Sequence, residues 1–320
     1  MRWPPLLFAM LLPVPPVMSQ QPETRQVVEV TQNWHFGVRV EAKAGAVAGI
    51  EARLPFPAPW PEQDVRLLQI NRSDTVSKVT FEDLGDGARQ MVVTIARLRQ
   101  GESATAVAEV EIKRRIIEAP RKIDAWRVPR RRSSRLKPYL SPSPYIESRH
   151  RTIRKTAAEI VSAAPPTGWR KVEAIYDWVR RQVRYEFDPK IRSSLEALQS
   201  GKGDCEELTS LFIALCRAEG IPARSVWVPG HCYPEFYLEN EQGEGRWFPC
   251  QAAGTRLFGE MIEWRPILQK GDRFKVPGKK GYQRYVAESL KAKHAAAPPA
   301  VTFIREAVGE AVASKLAEQR

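Results

Sequence analysis

The sequence predicts an α+β fold, with a small antiparallel β-sandwich followed by a core in which helices precede antiparallel strands. Three observations lead there. Between about residues 25 and 117, apolar side chains recur with period two, as in Trp34, Phe36, Val38, Val40 and again Met91, Val93, Ile95. Residues 153–161 and 169–183 then switch to the amphipathic spacing of helices. A third helical run, Cys205, Leu208, Phe212 and Leu215, is followed by three short extended segments. The length of 320 residues exceeds one typical domain, and a hydrophobic content of 43% is enough for two ordinary cores.

In the β region, Asp86-Gly87 marks a hairpin turn, and Pro55, Pro57, Pro59 and Pro61 punctuate a connection between strands. No catalytic cluster falls there, so its expected role is to pack against, position or shield the second domain. Ahead of it, Arg2, the apolar run at 6–12 and the small residue Ser19 fit a signal peptide over 1–19, which predicts a secreted or periplasmic protein. That run is far shorter than the ~20 residues of a membrane span, so no transmembrane segment is expected in the mature chain. The expected organisation is a β-sandwich over 20–117, a basic linker over 118–150, an α+β domain over 151–275 and an extension over 276–320. Within the extension, residues 295–320 read as a linker and terminal helix.

The net charge of +13 is local, because residues 113–155 hold fifteen Lys or Arg against three acidic residues. Arg130-Arg131-Arg132 beside Pro129 reads as a basic linker, able to touch an anionic envelope surface through non-specific electrostatics or simply to be solvated. No recognition-helix, zinc-finger or ribonucleoprotein pattern accompanies the charge, so sequence-specific nucleic-acid binding is not expected.

Chemistry concentrates at Lys202-Gly203-Asp204-Cys205. Asp204 is placed as N-cap and Gly220 as the stop, with Ile221-Pro222 preventing continuation. Cys205 therefore sits at a helix N-terminus, where unpaired N–H groups and the helix dipole favour a thiolate over a thiol of ordinary pKa about 8.5. The alternative at this point is a buried, inert cysteine opening a core helix. Downstream, residues 223–228, 231–238 and 246–251 read as strands, bringing His231 and a polar Gln251 after the helix.

Here the chain resembles the transglutaminase-like superfamily. The motifs are Gly203-Asp204-Cys205, the Gly220-Ile221-Pro222-Ala223-Arg224 turn, the strand opening at His231 and the Trp247-Phe248-Pro249-Cys250-Gln251 strand. Upstream, residues 171–179 with Val183 and Tyr185, and Leu195-Glu196-Ala197-Leu198, look like the elements that precede the nucleophile in that family. The resemblance covers roughly residues 136–270 and implies a papain-like fold. Carried over residue by residue, it makes Cys205 the nucleophile, His231 the general base and Gln251 the third member, where the family usually has Asp. Tyr185, Trp178 and Trp247 are the candidates for lining a substrate site.

The Asp-to-Gln departure has a chemical meaning. Gln accepts the same hydrogen bond from the imidazole, expected at Nδ1–H, but it cannot neutralise the imidazolium. Glu235 and Glu239 are poor replacements, because at about 3.3 Å per residue each lies more than ~13 Å along the strand from His231. Strand parity puts His231, Tyr233, Glu235 and Tyr237 on one face and Cys232 on the other, so that Cys232 and Cys250 share a hidden side as a disulfide or as two thiols. No Cys-x-x-Cys or His-x-x-x-His spacing supports a metal, and no cofactor is expected.

The implied reaction is attack of the Cys205 thiolate on a protein or peptide amide to give a thioester acyl-enzyme, with the Cys205 backbone N–H as first oxyanion donor. An amine acceptor gives cross-linking, and water gives deamidation or proteolysis. A cysteine peptidase of the same fold and a catalytically impaired scaffold are the alternative readings.

Overall fold

A computed structural model describes residues 28–85, 87–130 and 133–309. The β region contains β1 (Glu29–Glu41), β2 (Val47–Pro55), β3 (Gln63–Arg72), β4 (Lys78–Gly85), β5 (Ala88–Leu98) and β6 (Ser103–Arg115). Two short 3₁₀ turns, Ile123–Ala125 and Lys137–Leu140, carry the chain to α1 (Arg151–Ser162) and α2 (Gly168–Gln182). Then come β7 (Arg184–Tyr185), α3 (Ser194–Ser200), β8 (Lys202–Gly203), α4 (Cys205–Ala218), β9 (Ala223–Val228), β10 (His231–Glu239) and β11 (Gly245–Pro249). The last strands are β12 (Gln269–Lys270), β13 (Ser289–Lys291), β14 (His294–Ala295) and β15 (Ala300–Val308).

The alternation at Trp34, Phe36, Val38 and Val40 does what it predicts, burying one face of β1 against Ile50, Ala52, Leu54, Met91, Val93 and Ile95 in a sandwich core. One sheet has the order β15-β1-β6-β3. The other runs β11-β10-β9-β12-β5-β2-β13, with β14 also on β2 and β4 also on β5.

The segment expected as linker and helix thus supplies β15, which pairs with β1 from Glu41↔Ala300 to Asn33↔Val308. That expectation is corrected for residues 300–308. The β-branched residues Val301, Thr302, Ile304 and Val308 suit a strand, β1's open edge supplies backbone partners along its length, and Phe303 and Ala307 pack on the sandwich core. The remainder of the proposed helix, the signal-peptide segment, Asp86 of the hairpin and Arg131-Arg132 of the basic run lie outside the described residues.

The second sheet is continuous between the two regions, because β12 pairs with β9 on one side and touches β5 through Gln269↔Ala88 on the other. Lys270 N–H donates to the Gly87 carbonyl at 3.0 Å, and a Cβ on Gly87 would stand 2.3 Å from the Lys270 carbonyl oxygen, so this crossing needs glycine. Gln63 exchanges two bonds with the Ile267 backbone, at 2.6 and 3.0 Å. Beside it a buried ion cluster closes the junction, with Lys270 bonded to Glu62 and to Glu235 (2.6 Å), and Arg224 on Glu235 at 2.9 Å. Each buried charge there has an opposite partner.

The α+β core wraps α4. Residues 207–217 of this helix are all buried, against α1 and α2 and the β10 face bearing Phe236 and Leu238. Trp169, Phe236, Phe248 and Phe258 interlock edge-to-face or stacked at centroid distances of 5.1 to 5.7 Å. A helix buried all round at the centre of a core has its two ends fixed by packing rather than by propensity, which is what a precisely placed N-terminal side chain requires.

Candidate active site

The start of α4 is held by a reciprocal cap. Asp204 accepts from Glu206 N–H at 2.7 Å, and Glu207 accepts from Asp204 N–H at 2.8 Å while its other oxygen accepts from Arg192 N–H at 2.8 Å. Gly203 is required for this, since a Cβ there would lie 2.4 Å from the Glu207 Cβ. The parallel pair of β7 with β8, Tyr185 opposite Gly203, brings the loop before α3 alongside. The half-buried Cys205 side chain is left at the first turn of the helix, at the margin of the core.

Opposite it, His231 opens β10. Its Nε2 lies 3.1 Å from Gln251 Oε1, which leaves Nδ1 as the nitrogen for the Cys205 sulfur. The ring is therefore reversed relative to the expected Nδ1–Gln251 bond, because Gln251 approaches from the end of β11 while α4 approaches from the other side. Contacts with the Cys232 thiol first, and then with His231, overcome burial and the Asp204 charge to pull the Cys205 thiol down to about 5. Burial opposes charge on His231, yet its bonds to Cys205 and Gln251 raise it above its ordinary value. Both shifts favour the charged forms, thiolate and imidazolium, and in the imidazolium form Nε2–H donates to Gln251 Oε1.

Residues 154–252 match the family model of the transglutaminase-like superfamily. This segment is a transglutaminase-like domain. The chain is similar in structure to a Cytophaga hutchinsonii protein described as a "putative cysteine protease", with TM-score 0.55, 17% identity and coverage of 88% of this chain and 94% of that one. It is also matched with a Parabacteroides distasonis protein described as a "putative protease", at TM-score 0.29 and 16% identity, over 73% of this chain and 48% of that one. No curated protein matches.

Within the transglutaminase-like domain, Cys205, His231 and Gln251 come together, and Tyr185 stands beside them. Its side chain is 59% exposed, and its hydroxyl is raised by burial and by the charges of Cys205 and Asp204. Trp178 and Trp247 are engaged elsewhere. Trp178 packs against the helical core, while Trp247 lies 4.0 Å beneath the Arg224 guanidinium and edge-on to Tyr139 and Tyr237. Glu235, expected on the cleft face, is inside the ion cluster at 1% exposure.

Cys232 lies on the hidden face that parity predicts, but the expectation that this face points away from the nucleophile is overturned. α4 packs on the face of β10 that carries Cys232, Phe236 and Leu238, so the Cys232 thiol points toward Cys205 and donates to its carbonyl oxygen at 3.6 Å. His231, at the open end of the strand, reaches the same sulfur from the edge. Cys250 faces the core with its sulfur 3.9 Å from the Pro234 carbonyl oxygen, and all four cysteines are unbridged.

Two positioning residues escaped the sequence reading. Tyr176 donates its hydroxyl to the Gln251 carbonyl at 2.8 Å and accepts from Leu257 N–H at 3.1 Å. Arg180 donates to the Gln251 carbonyl at 2.9 Å, to Ala252 at 3.2 Å and to Gly254 at 2.6 Å. Together they lock the backbone that presents Gln251. A Tyr and an Arg four residues apart on one helix face were the available signal. Among the described residues, no group of His, Cys, Asp and Glu could hold a metal ion.

Proposed function

We propose that the chain is a thiol acyl-transfer enzyme acting on protein or peptide amides, with Cys205 as nucleophile, His231 as general base and acid, and Gln251 orienting His231. The observation that carries this reading is geometric: Cys205 opens the capped helix α4 beside an imidazole whose Nε2 is anchored 3.1 Å from Gln251 Oε1, surroundings that pull its thiol down to about 5. The thiolate attacks the amide carbonyl, and the Cys205 N–H at the helix start faces the developing oxyanion. His231 then gives its proton to the leaving amine or ammonia, and a thioester remains. An amine acceptor gives a cross-link; water gives deamidation or peptide hydrolysis, the outcome to which the description of the Cytophaga hutchinsonii neighbour inclines. Tyr185 is the aromatic residue placed to border the acyl group.

The impaired-scaffold reading rested on Gln251, and the bond from Gln251 Oε1 to the imidazole weighs against it. The signal-peptide pattern supports action outside the cytosol. Basic residues Arg149, Arg151, Arg154 and Lys155, lining a surface depression with Glu219, support contact with an anionic envelope surface.

A glutamine-containing peptide incubated with and without a primary amine, with products identified by mass, tests the reaction. Amine-dependent adducts or amine-independent deamidation or cleavage, each lost in Cys205→Ala, are expected. Unchanged peptide, together with Cys205 alkylation no faster than an ordinary thiol, would sink the enzyme.

A further inference from the structure

The mechanism above leaves three buried thiols unused, and one of them, Cys232, touches the reactive cysteine. Its sulfur lies 3.6 Å from the Cys205 carbonyl oxygen, and the two thiols are near enough to shift each other's ionisation. The other two thiols are turned into the core, Cys216 at 0% exposure and Cys250 against the Pro234 carbonyl. We propose that Cys205 and Cys232 form a redox pair, in which Cys205 is the oxidisable thiol and Cys232 the resolving thiol that captures it as a reversible intramolecular disulfide.

The two sulfurs are differentiated for these roles. Cys205 is half-buried and at the helix N-terminus, so hydroperoxides reach it as a thiolate. Cys232 is 2% exposed, so the same oxidants do not reach it first. The neighbouring Cys205 thiolate, and then burial, hold it protonated and unreactive in the resting site.

The steps balance. The Cys205 thiolate attacks the distal oxygen of a hydroperoxide; the S–O bond forms, the O–O bond breaks, and hydroxide or alkoxide leaves with the proton of the His231 imidazolium. Sulfur has lost two electrons and the peroxide has gained them. Neutral Cys205 sulfenic acid no longer favours a protonated neighbour, so the Cys232 sulfur attacks the Cys205 sulfur. The S–S bond forms, the S–O bond breaks, and water leaves carrying the Cys232 proton. A dithiol reductant returns both thiols.

The consequence is regulation of the proposed acyl-transfer site, and it rests on Cys205 being its nucleophile. Oxidation removes the nucleophile without destroying it, because the disulfide competes with further oxidation to sulfinic and sulfonic acids that thiol reductants do not reverse.

Treating the full chain with limiting hydrogen peroxide, alkylating the remaining thiols and mapping peptides without reduction tests this. The expected result is a linked peptide pair containing Cys205 and Cys232, with both thiols recovered after dithiothreitol. In Cys232→Ser, and in Cys232→Ala as a second variant, Cys205 passes to sulfinic and sulfonic acid and dithiothreitol recovery is lost. A wild-type chain whose Cys205 overoxidises as fast as in Cys232→Ser overturns the proposal, as does a bridge joining any other pair. The wild-type peptide map decides even if the variants fold poorly. Because the readout is mass, a chain that bridges but turns over no amide leaves the redox pair standing and removes the enzyme, while an active chain that does not bridge does the reverse.

Discussion

Cys205 and Cys216 lie on the same helix, three turns apart, and end up as opposite kinds of thiol. Cys205 is pulled down to about 5 by the Cys232 and His231 contacts, whereas burial pushes Cys216 well above the ordinary value. Neither difference is a property of cysteine or of the helix. At its N-terminus α4 offers unpaired N–H groups, a dipole and neighbours that stabilise negative charge. Eleven residues later the backbone is fully bonded and the surroundings are aliphatic and aromatic, so charge has no partner there. Reactivity in this protein is therefore a matter of where on α4 a sulfur sits.

The sharpest way to break that comparison is to remove each sulfur in turn. Cys205→Ala is expected to abolish the fast phase of iodoacetamide labelling and to lower any amide turnover by at least about 10³-fold, while folding is retained. Cys216→Ala is expected to leave the fast phase intact and to cost about 1–2 kcal/mol in urea unfolding, through lost packing. Fast labelling that survives in Cys205→Ala would show the reactive thiol to be elsewhere.

The third member of the site is tested next. Gln251→Ala is expected to reduce turnover on the order of 10²-fold by freeing the imidazole. In the native chain, activity should rise with pH as Cys205 ionises near 5 and fall as His231 loses its proton above its ordinary value of about 6.5. Gln251→Asp places a negative charge on the imidazolium, so its alkaline limb should move to higher pH by about one unit. An alkaline limb that does not move in the pH–rate profile would mean that Gln251 is not coupled to His231.

Smaller effects sharpen the contrast at the helix start. Gly203→Ala forces its Cβ against Glu207 and should cost about 1–3 kcal/mol in chemical denaturation, with slower Cys205 labelling as the cap shifts. Smallest is Asp204→Asn, which keeps a capping oxygen but removes the charge that opposes the thiolate. Its labelling profile should shift its acid limb downward by less than about one pH unit, with little change in stability. A limb that moves upward would contradict the assigned sign.

Much of the core is legible in the sequence. The helices at 151–162 and 168–182, the capped nucleophile helix and the strands from 223 to 249 follow local periodicity and punctuation, and each appears within a few residues of its expected place. Cys205, His231 and Gln251 were legible because ordered motifs carry them. Tyr176 and Arg180 were not, since an ordinary amphipathic helix gives no sign that its buried hydroxyl and guanidinium grip a carbonyl 71 to 75 residues away. Glu235 and Trp247 were misread for a related reason: parity says which residues share a face, but not what covers it.

By itself, then, the amino-acid sequence determined the α+β elements and the cap that starts α4, because caps, periodicity and turn chemistry act over a few residues, while the three side chains of the candidate site came from the resemblance of its ordered motifs to a known family. Only the tertiary structure decided which face of β10 meets α4, that β12 fuses two regions into one sheet, and that β15 closes the sandwich. It also decided that Cys232 lies on Cys205. Those outcomes depend on packing between segments distant in the chain, where the burial of whole surfaces outweighs the preference of any one residue.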